Sequence, residues 1–219
     1  MNKRIFIISL LSALLSAAVG AAPEQSYLII YNATGRDGLV VQSNGKDVDK
    51  LTLETGANSG GLLVPARKIS LNLAQDGAPQ ATTTFDISPG ATVRLVATRS
   101  TSGPGTPAEL HLSKLELPAR NDLDQSRVAF VFNGASNPIE TTDEEKSPIT
   151  IAQRELHKLG KIKAFERGLT FKSPESKDLR FPSRMLNFEE PADALIILSS
   201  DPNGQIIGSV VPLLSFSPP

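Results

Sequence analysis

Apolar residues along this chain fall in short runs separated by turn-forming clusters, and the runs are rich in Val, Ile, Leu, Phe and Thr, which is strand chemistry. The densest early run is Tyr27 to Tyr31, closed by Asn32-Ala33-Thr34-Gly35. Leu39 to Val41 follows, then Ser43-Asn44-Gly45-Lys46, where Asn-Gly tolerates positive φ and predicts a two-residue hairpin. Val48, Leu51 and Leu53 continue on the far side, and Gly56 to Gly61 is a Gly/Asn/Ser loop. Ile69, Leu71 and Leu73 alternate with Ser70 and Asn72, the period of a half-buried strand. Gln75-Asp76-Gly77-Ala78 predicts the next hairpin; beyond it Thr82, Thr84 and Asp86 face one way, Phe85 and Ile87 the other. Ser88-Pro89-Gly90 turns the chain into Thr92 to Ala97, and Leu110, Leu112, Leu115 and Leu117 close the unit after the Ser100 to Pro107 loop.

The pattern then repeats. Arg127 to Ser136, Arg-Val-Ala-Phe-Val-Phe-Asn-Gly-Ala-Ser, echoes the first strand at an offset near 101, so that Tyr31-Asn32 falls on Phe132-Asn133. Phe85 and Ile87 fall on Leu186 and Phe188, Val93 to Ala97 on Ala194 to Leu198, and Leu110 and Leu112 on Val211 and Leu213. Mid-unit the register slips by about one residue, with Ile69 and Leu71 fitting Leu169 and Phe171. Asp201-Pro-Asn-Gly204 is a turn between the last two runs. Ile149 to Leu159 carries both Ile-Thr-Ile alternation and a helical face of Ile149, Ala152, Leu156 and Leu159; its overlay on Val48 to Asn58 favours strand. Strands this short, joined by tight turns, bury one face each by packing two sheets together. The expected architecture is all-β: two tandem immunoglobulin-like antiparallel β-sandwich domains. The boundaries are residues 1–22 for a leader, 23–117 for the first sandwich, 118–126 for a polar linker and 127–219 for the second.

The leader has the three-part layout of a secretory signal peptide: Lys3 and Arg4, an apolar stretch from Ile5 to Ala18, then small residues before Pro23. The stretch is shorter than the roughly 20 residues that span a bilayer, and nothing later is long enough. The mature chain is therefore expected to be exported, periplasmic or extracellular, without a membrane span. The chain has no Cys, so each domain must rely on its apolar core. A net charge of −1 with mixed signs gives no reason to expect nucleic acid as partner.

Candidate chemistry is sparse. His111 sits between Leu110 and Leu112, facing away from them and so toward solvent; His157 lies among Arg154, Glu155 and Lys158. Neither has further ligands at metal-site spacing, and no Ser lies in a Gly-x-Ser-x-Gly elbow. Asp143-Glu144-Glu145 and the linker residues Asn121, Asp122 and Asp124 read as solvated loop charge, with oxygen ligation of a calcium ion as the alternative, and Glu189-Glu190 before Pro191 has no partner carboxylate for acid/base work. Asn32 and Asn133 read as turn residues that bond their own backbone. The aromatic candidates for a sugar platform, Tyr27, Tyr31 and Phe132, fall where cores are expected. The reading is therefore no catalytic, cofactor or metal residues.

Leu28-Ile-Ile-Tyr-Asn-Ala-Thr34, Leu39-Val-Val41, Asn44-Gly-Lys46, Val64-Pro65-Ala66 and Ser88-Pro89-Gly90 to Ala97 together resemble a family of bacterial exported β-sandwich proteins, nearest the AlgF family of periplasmic accessory proteins of alginate O-acetylation. The second unit departs from that pattern: Phe132-Asn-Gly-Ala-Ser lacks the Asn-Ala-Thr order, and Arg167-Gly168 replaces Pro-Ala. The resemblance implies fold and compartment and transfers no functional residue. The expected function is a non-catalytic protein that contacts another envelope protein, as an accessory to surface polysaccharide modification. The alternative is a ligand- or glycan-binding module.

Overall fold

The computed structural model describes residues 25–43, 48–100, 108–117, 126–142, 148–165, 168–174, 176–188 and 192–213. The leader, the Asn44-Gly45 turn, the Ser100 to Pro107 loop beyond its first residue and the linker up to Gln125 lie outside the described residues.

The chain is all-β. The first unit contains β1 Gln25–Ala33, β2 Leu39–Ser43, β3 Leu51–Leu53, β4 Leu62–Pro65, β5 Lys68–Gln75, β6 Ala78–Asp86, β7 Thr92–Arg99 and β8 Leu110–Lys114. The second contains β9 Val128–Asn133, β10 Ile139–Thr142, β11 Ile149–Ile151, β12 Leu156–Lys161, β13 Leu169–Lys172, β14 Leu179–Phe181, β15 Asp193–Ser200 and β16 Ile206–Leu213. Among the described residues, two short 3-10 turns, Ile162–Ala164 and Ser183–Leu186, lie in the second unit's connections. Among the described residues no helix is long and apolar enough to cross a membrane.

Each unit is a sandwich of two sheets. In the first, β4-β1-β7-β8 faces β3-β2-β5-β6; in the second, β12-β9-β15-β16 faces β11-β10-β13-β14, with β9–β16 taking the places of β1–β8 in order. The duplication read from the sequence is thus a duplication of topology. The central pairs β1–β7 and β9–β15 run parallel and the other pairs antiparallel. A parallel pair needs a long crossover, which the intervening strands supply by passing through the opposite sheet. Asn32 lies opposite Ala97 and Asn133 opposite Leu198, so the 101-residue offset holds through this central pair.

At the last strand the offset fails. Leu110 lies opposite Arg99 and Ile206 opposite Ser200, so Ile206 is the counterpart of Leu110. Val211 and Leu213 then match Leu115 and Leu117 rather than Leu110 and Leu112. The connection before β8 is longer than the turn before β16, and a constant offset cannot register that difference. The segment of uncertain type is strand: β11 and β12 flank a turn at residues 152–155. Its backbone copies that of the first unit. Gly56 N–H donates to Asn32 O, and Arg154 N–H donates to Asn133 O. Both turn residues are left-handed, Gly56 at φ 73° and Arg154 at φ 62°. A side chain at that φ costs about 1 kcal/mol, which glycine avoids. Arg154→Gly is therefore expected to stabilise the second unit by about 0.5–1 kcal/mol and raise Tm by roughly 2–4 °C, read by thermal unfolding.

Three apolar clusters hold the molecule. Leu28, Ile30, Leu39, Val41, Ile69, Leu71, Leu73 and Leu95 fill the first sandwich. Ile139, Ile151, Leu169, Phe171, Phe181, Leu186 and Ile196 fill the second, with Phe171 and Phe181 edge-to-face at 5.8 Å. The third lies between the units: Ile29, Tyr31, Ala33, Val96 and Leu115 of the first against Phe130, Phe132, Leu195, Ile197, Val211 and Leu213 of the second. Each unit has its own core, and the third is added to these because β1, β7, β9 and β15 bury both faces. The order of layers is sheet, core, sheet, shared core, sheet, core, sheet.

The same face of each copy forms this shared core. Ile29 and Tyr31 are the counterparts of Phe130 and Phe132, and Val96 that of Ile197. Ala33 and its counterpart Gly134 meet each other: a Cβ built on Gly134 would stand 3.0 Å from the Ala33 Cβ and 2.8 Å from Leu198 O. Equivalent positions touch in this way on the axis of a symmetric dimer. Position 134 has no space for a side chain, which accounts for the departure from Ala at that point of the repeat.

Candidate functional site

The repeated asparagines are structural. Asn32 is fully buried; its Nδ2 donates to Arg36 O and Leu53 O, both at 3.0 Å, and its Oδ1 accepts Thr34 N–H at 3.0 Å. Asn133 repeats the set: Nδ2 to Asn137 O at 3.0 Å and Ile151 O at 2.9 Å, Oδ1 from Ala135 N–H at 3.0 Å. Here the strand leaves one sheet for the other, so backbone groups at the corner fall outside the ladders and need a side-chain partner. In the first unit Gln75 extends this scaffold, its Nε2 donating to Thr34 Oγ1 at 2.8 Å while its Oε1 accepts from Arg99 Nη1 at 3.2 Å.

His111 faces away from Leu110 and Leu112, as the alternation requires, but that side of the sheet meets the second unit. Its side chain is 32 % exposed, with Nε2 3.6 Å from Glu109. Its strand partner Thr98 is buried. Partial burial first, then the Arg154 guanidinium of the other unit, hold the imidazole below its ordinary pKa, and Glu109 opposes them. His157 is half-buried, its Nδ1 4.0 Å from Glu155. The two histidines belong to separate strands with separate acidic partners, and among the described residues no three His, Asp or Glu side chains gather as a metal site requires. Asp122, Asp124, Asp143-Glu144-Glu145 and Glu189-Glu190 lie outside the described residues.

Tyr31 and Phe132 are buried in the shared core and offer no ring to a ligand; Tyr27 is half-buried. Burial raises the Tyr31 hydroxyl pKa, against the opposing charge and hydrogen bond of Arg94. Side chains with recognition chemistry stand instead on the two outermost sheet faces, and these differ. The outer face of the second unit carries charge, with Glu140 opposite Lys172 and Thr170 opposite Arg180. The outer face of the first unit carries Gln42, Ser70, Asn72, Thr82 and Thr84 over most of β2, β5 and β6, with one charged pair, Lys68 opposite Asp86, at its end. Thr82 Oγ1 donates to Asn72 Oδ1 at 2.8 Å, and the Ser70 and Thr84 hydroxyls are 2.9 Å apart. Those bonds hold the row in fixed rotamers. β6, nine residues long, ends the sheet and pairs within it only with β5.

No family model matches the chain, and no curated protein matches it in sequence.

Proposed function

We propose that this is an exported, non-catalytic protein of the cell envelope that works by protein–protein contact, with β6 and the hydroxyl- and amide-bearing outer face beside it as the contact surface. The observation that carries this reading is the edge strand itself. β6 is long, and between Pro79 and Asp86 its outward side chains are Gln80, Thr82 and Thr84 rather than the charges that blunt most exposed edges; its register against β5 is irregular only near its start, between the Leu73–Ala81 and Gln75–Ala78 pairs. Such an edge accepts an added strand from a partner, which main-chain hydrogen bonds secure and alternate side chains specify. The resemblance to accessory proteins of polysaccharide modification supports an enzyme or export component of surface polysaccharide as that partner.

The test is photo-crosslinking in an exporting host from a probe at position 84, with position 170 on the opposite outer face as control. A discrete adduct from position 84 alone is expected, and Thr82→Lys should abolish it while changing stability by less than about 0.5 kcal/mol. Equal labelling from both positions, or a glycan-array hit with no protein adduct, would overturn the reading in favour of a glycan-binding module.

A further inference from the structure

We infer that the second unit carries a binding site for a small hydroxylated anion, a sugar acid or sugar phosphate, in a basic cleft that the duplicated architecture does not require. The two copies differ most at one end. Between β4 and β5 the first copy has only residues 66–67, and between β6 and β7 residues 87–91; the second copy has residues 162–168 and 182–192 at the same places. Both longer connections carry a 3-10 turn anchored by a buried side chain, Ile162 in one and Leu186 in the other. A cleft of about 330 Å³ is lined by Ser126, Arg127, Lys161 and Lys163. An adjoining hollow of about 350 Å³ shares Lys163 and adds Ser183 and Asn187. Arg127 Nη2 donates to Asn187 Oδ1 at 3.2 Å and joins the two walls.

The backbone gathers the cations. Lys161 pairs with Val128 in the sheet, and Ile162 N–H donates to Arg127 O at 2.9 Å, so the β9 start and the β12 end are tied side by side. With Ile162 turned into the core, the side chains on either side of it, Lys161 and Lys163, are both exposed. Lys161 and Ser126 are engaged within the chain, so in a chain of net charge −1 the cations that the cleft offers to a ligand are Arg127 and Lys163. A guanidinium fork and the Lys163 ammonium group suit a carboxylate or phosphate. The Ser and Asn groups beside them suit neutral hydroxyls, and the volume suits a ligand of sugar size. Asp193 Oδ1 accepts Val128 N–H at 2.8 Å beside these cations, and Asp122, Asp124, Glu189 and Glu190 flank the segments in sequence, outside the described residues, so the test must separate an external anion from neutralisation by the chain itself.

The full mature chain would be titrated with glucuronate, glucose 6-phosphate and glucose while amide shifts are followed by NMR. Saturable shifts at Arg127, Ile162 and Lys163 are expected with one or both anions, at a Kd of about 1 mM or tighter, and none with glucose. The tighter anion assigns the source. Lys163→Gln, at an exposed position, should weaken binding about tenfold; Arg127→Gln should do the same, and Lys50→Gln in the first unit should leave it unchanged. The inference is overturned if neither anion saturates, as self-neutralisation would give, if glucose shifts the same amides, or if both cleft variants bind like the parent.

Discussion

Asn133→Ala is expected to lower the stability of the chain by about 3–5 kcal/mol, one of the largest single-residue effects available in this molecule. The side chain bonds three backbone groups, and two of those bonds, to Ile151 O and from Ala135 N–H, are fully buried. Without it those groups lose their partner where water does not replace it, at about 1–3 kcal/mol each, and a cavity adds to the loss. Asn133→Asp is a sharper test. It keeps the shape but turns the two-donor group into an acceptor facing two carbonyl oxygens, and it buries a charge. Asp should therefore be no better than Ala, although it is the closest isostere. Asn32→Ala should act similarly in the first unit, where Thr34 also donates its hydroxyl to the Asn32 Oδ1 at 2.7 Å. Urea unfolding followed by circular dichroism measures all three; a loss under about 1 kcal/mol for Asn133→Ala would mean that the corner finds other partners.

The role of these asparagines was legible because the same residue recurs at the same place after the same apolar run. β5 was legible for a different reason. It has one buried face, and Ile69, Leu71 and Leu73 alternate cleanly with polar neighbours. The contact between the units was written in the chain as well, but in a form that periodicity hides. Leu28-Ile-Ile-Tyr31, Phe130-Val-Phe132 and Leu195-Ile-Ile-Leu198 do not alternate because both of their faces are covered. Such runs look like strong strands, and a run alone does not say that half of its side chains serve a second interface. Leu112 and Leu115 show the same effect over three residues: the first faces the sandwich core, the second the shared core, and the change of phase marks the chain leaving β8. His111 was placed on the right side of its strand and in the wrong surroundings for the same reason. The cleft left no trace, since Arg127 and Lys161 meet only through the pairing of β9 with β12 and Lys163 lies in the 3-10 turn after it, three positions that share no periodicity.

The second large effect follows from that shared core. Residues 127–219 expressed alone should fold, since Ile139, Phe171, Phe181 and Ile196 form a core that uses nothing from the first unit. They should not remain monomeric. Phe130, Phe132, Leu195, Ile197, Val211 and Leu213 would then lie bare on one sheet face, a larger contiguous apolar surface than soluble monomers ordinarily expose. In the intact chain this face is covered by its own counterpart, Ile29, Tyr31, Ala33 and Val96, and so it is shaped to meet its own kind. Covering six such side chains is worth roughly 10–15 kcal/mol gross. Losses of rotational and translational freedom on association offset part of that, which leaves a dissociation constant in about the micromolar range or below. Sedimentation of the isolated unit at about 50 µM should therefore show a dimer, and adding residues 23–117 should convert it to a one-to-one complex of the two units. Ile197→Asp places a charge at the centre of the face and should return the isolated unit to monomer with its fold intact. In the full chain the same substitution buries an unpaired carboxylate between the units, at a cost of about 3–5 kcal/mol, and should separate one cooperative unfolding transition into two. A stable, fully monomeric isolated unit at that concentration would show that the face does not associate outside the chain, and the shared core would then depend on the tether between the two copies.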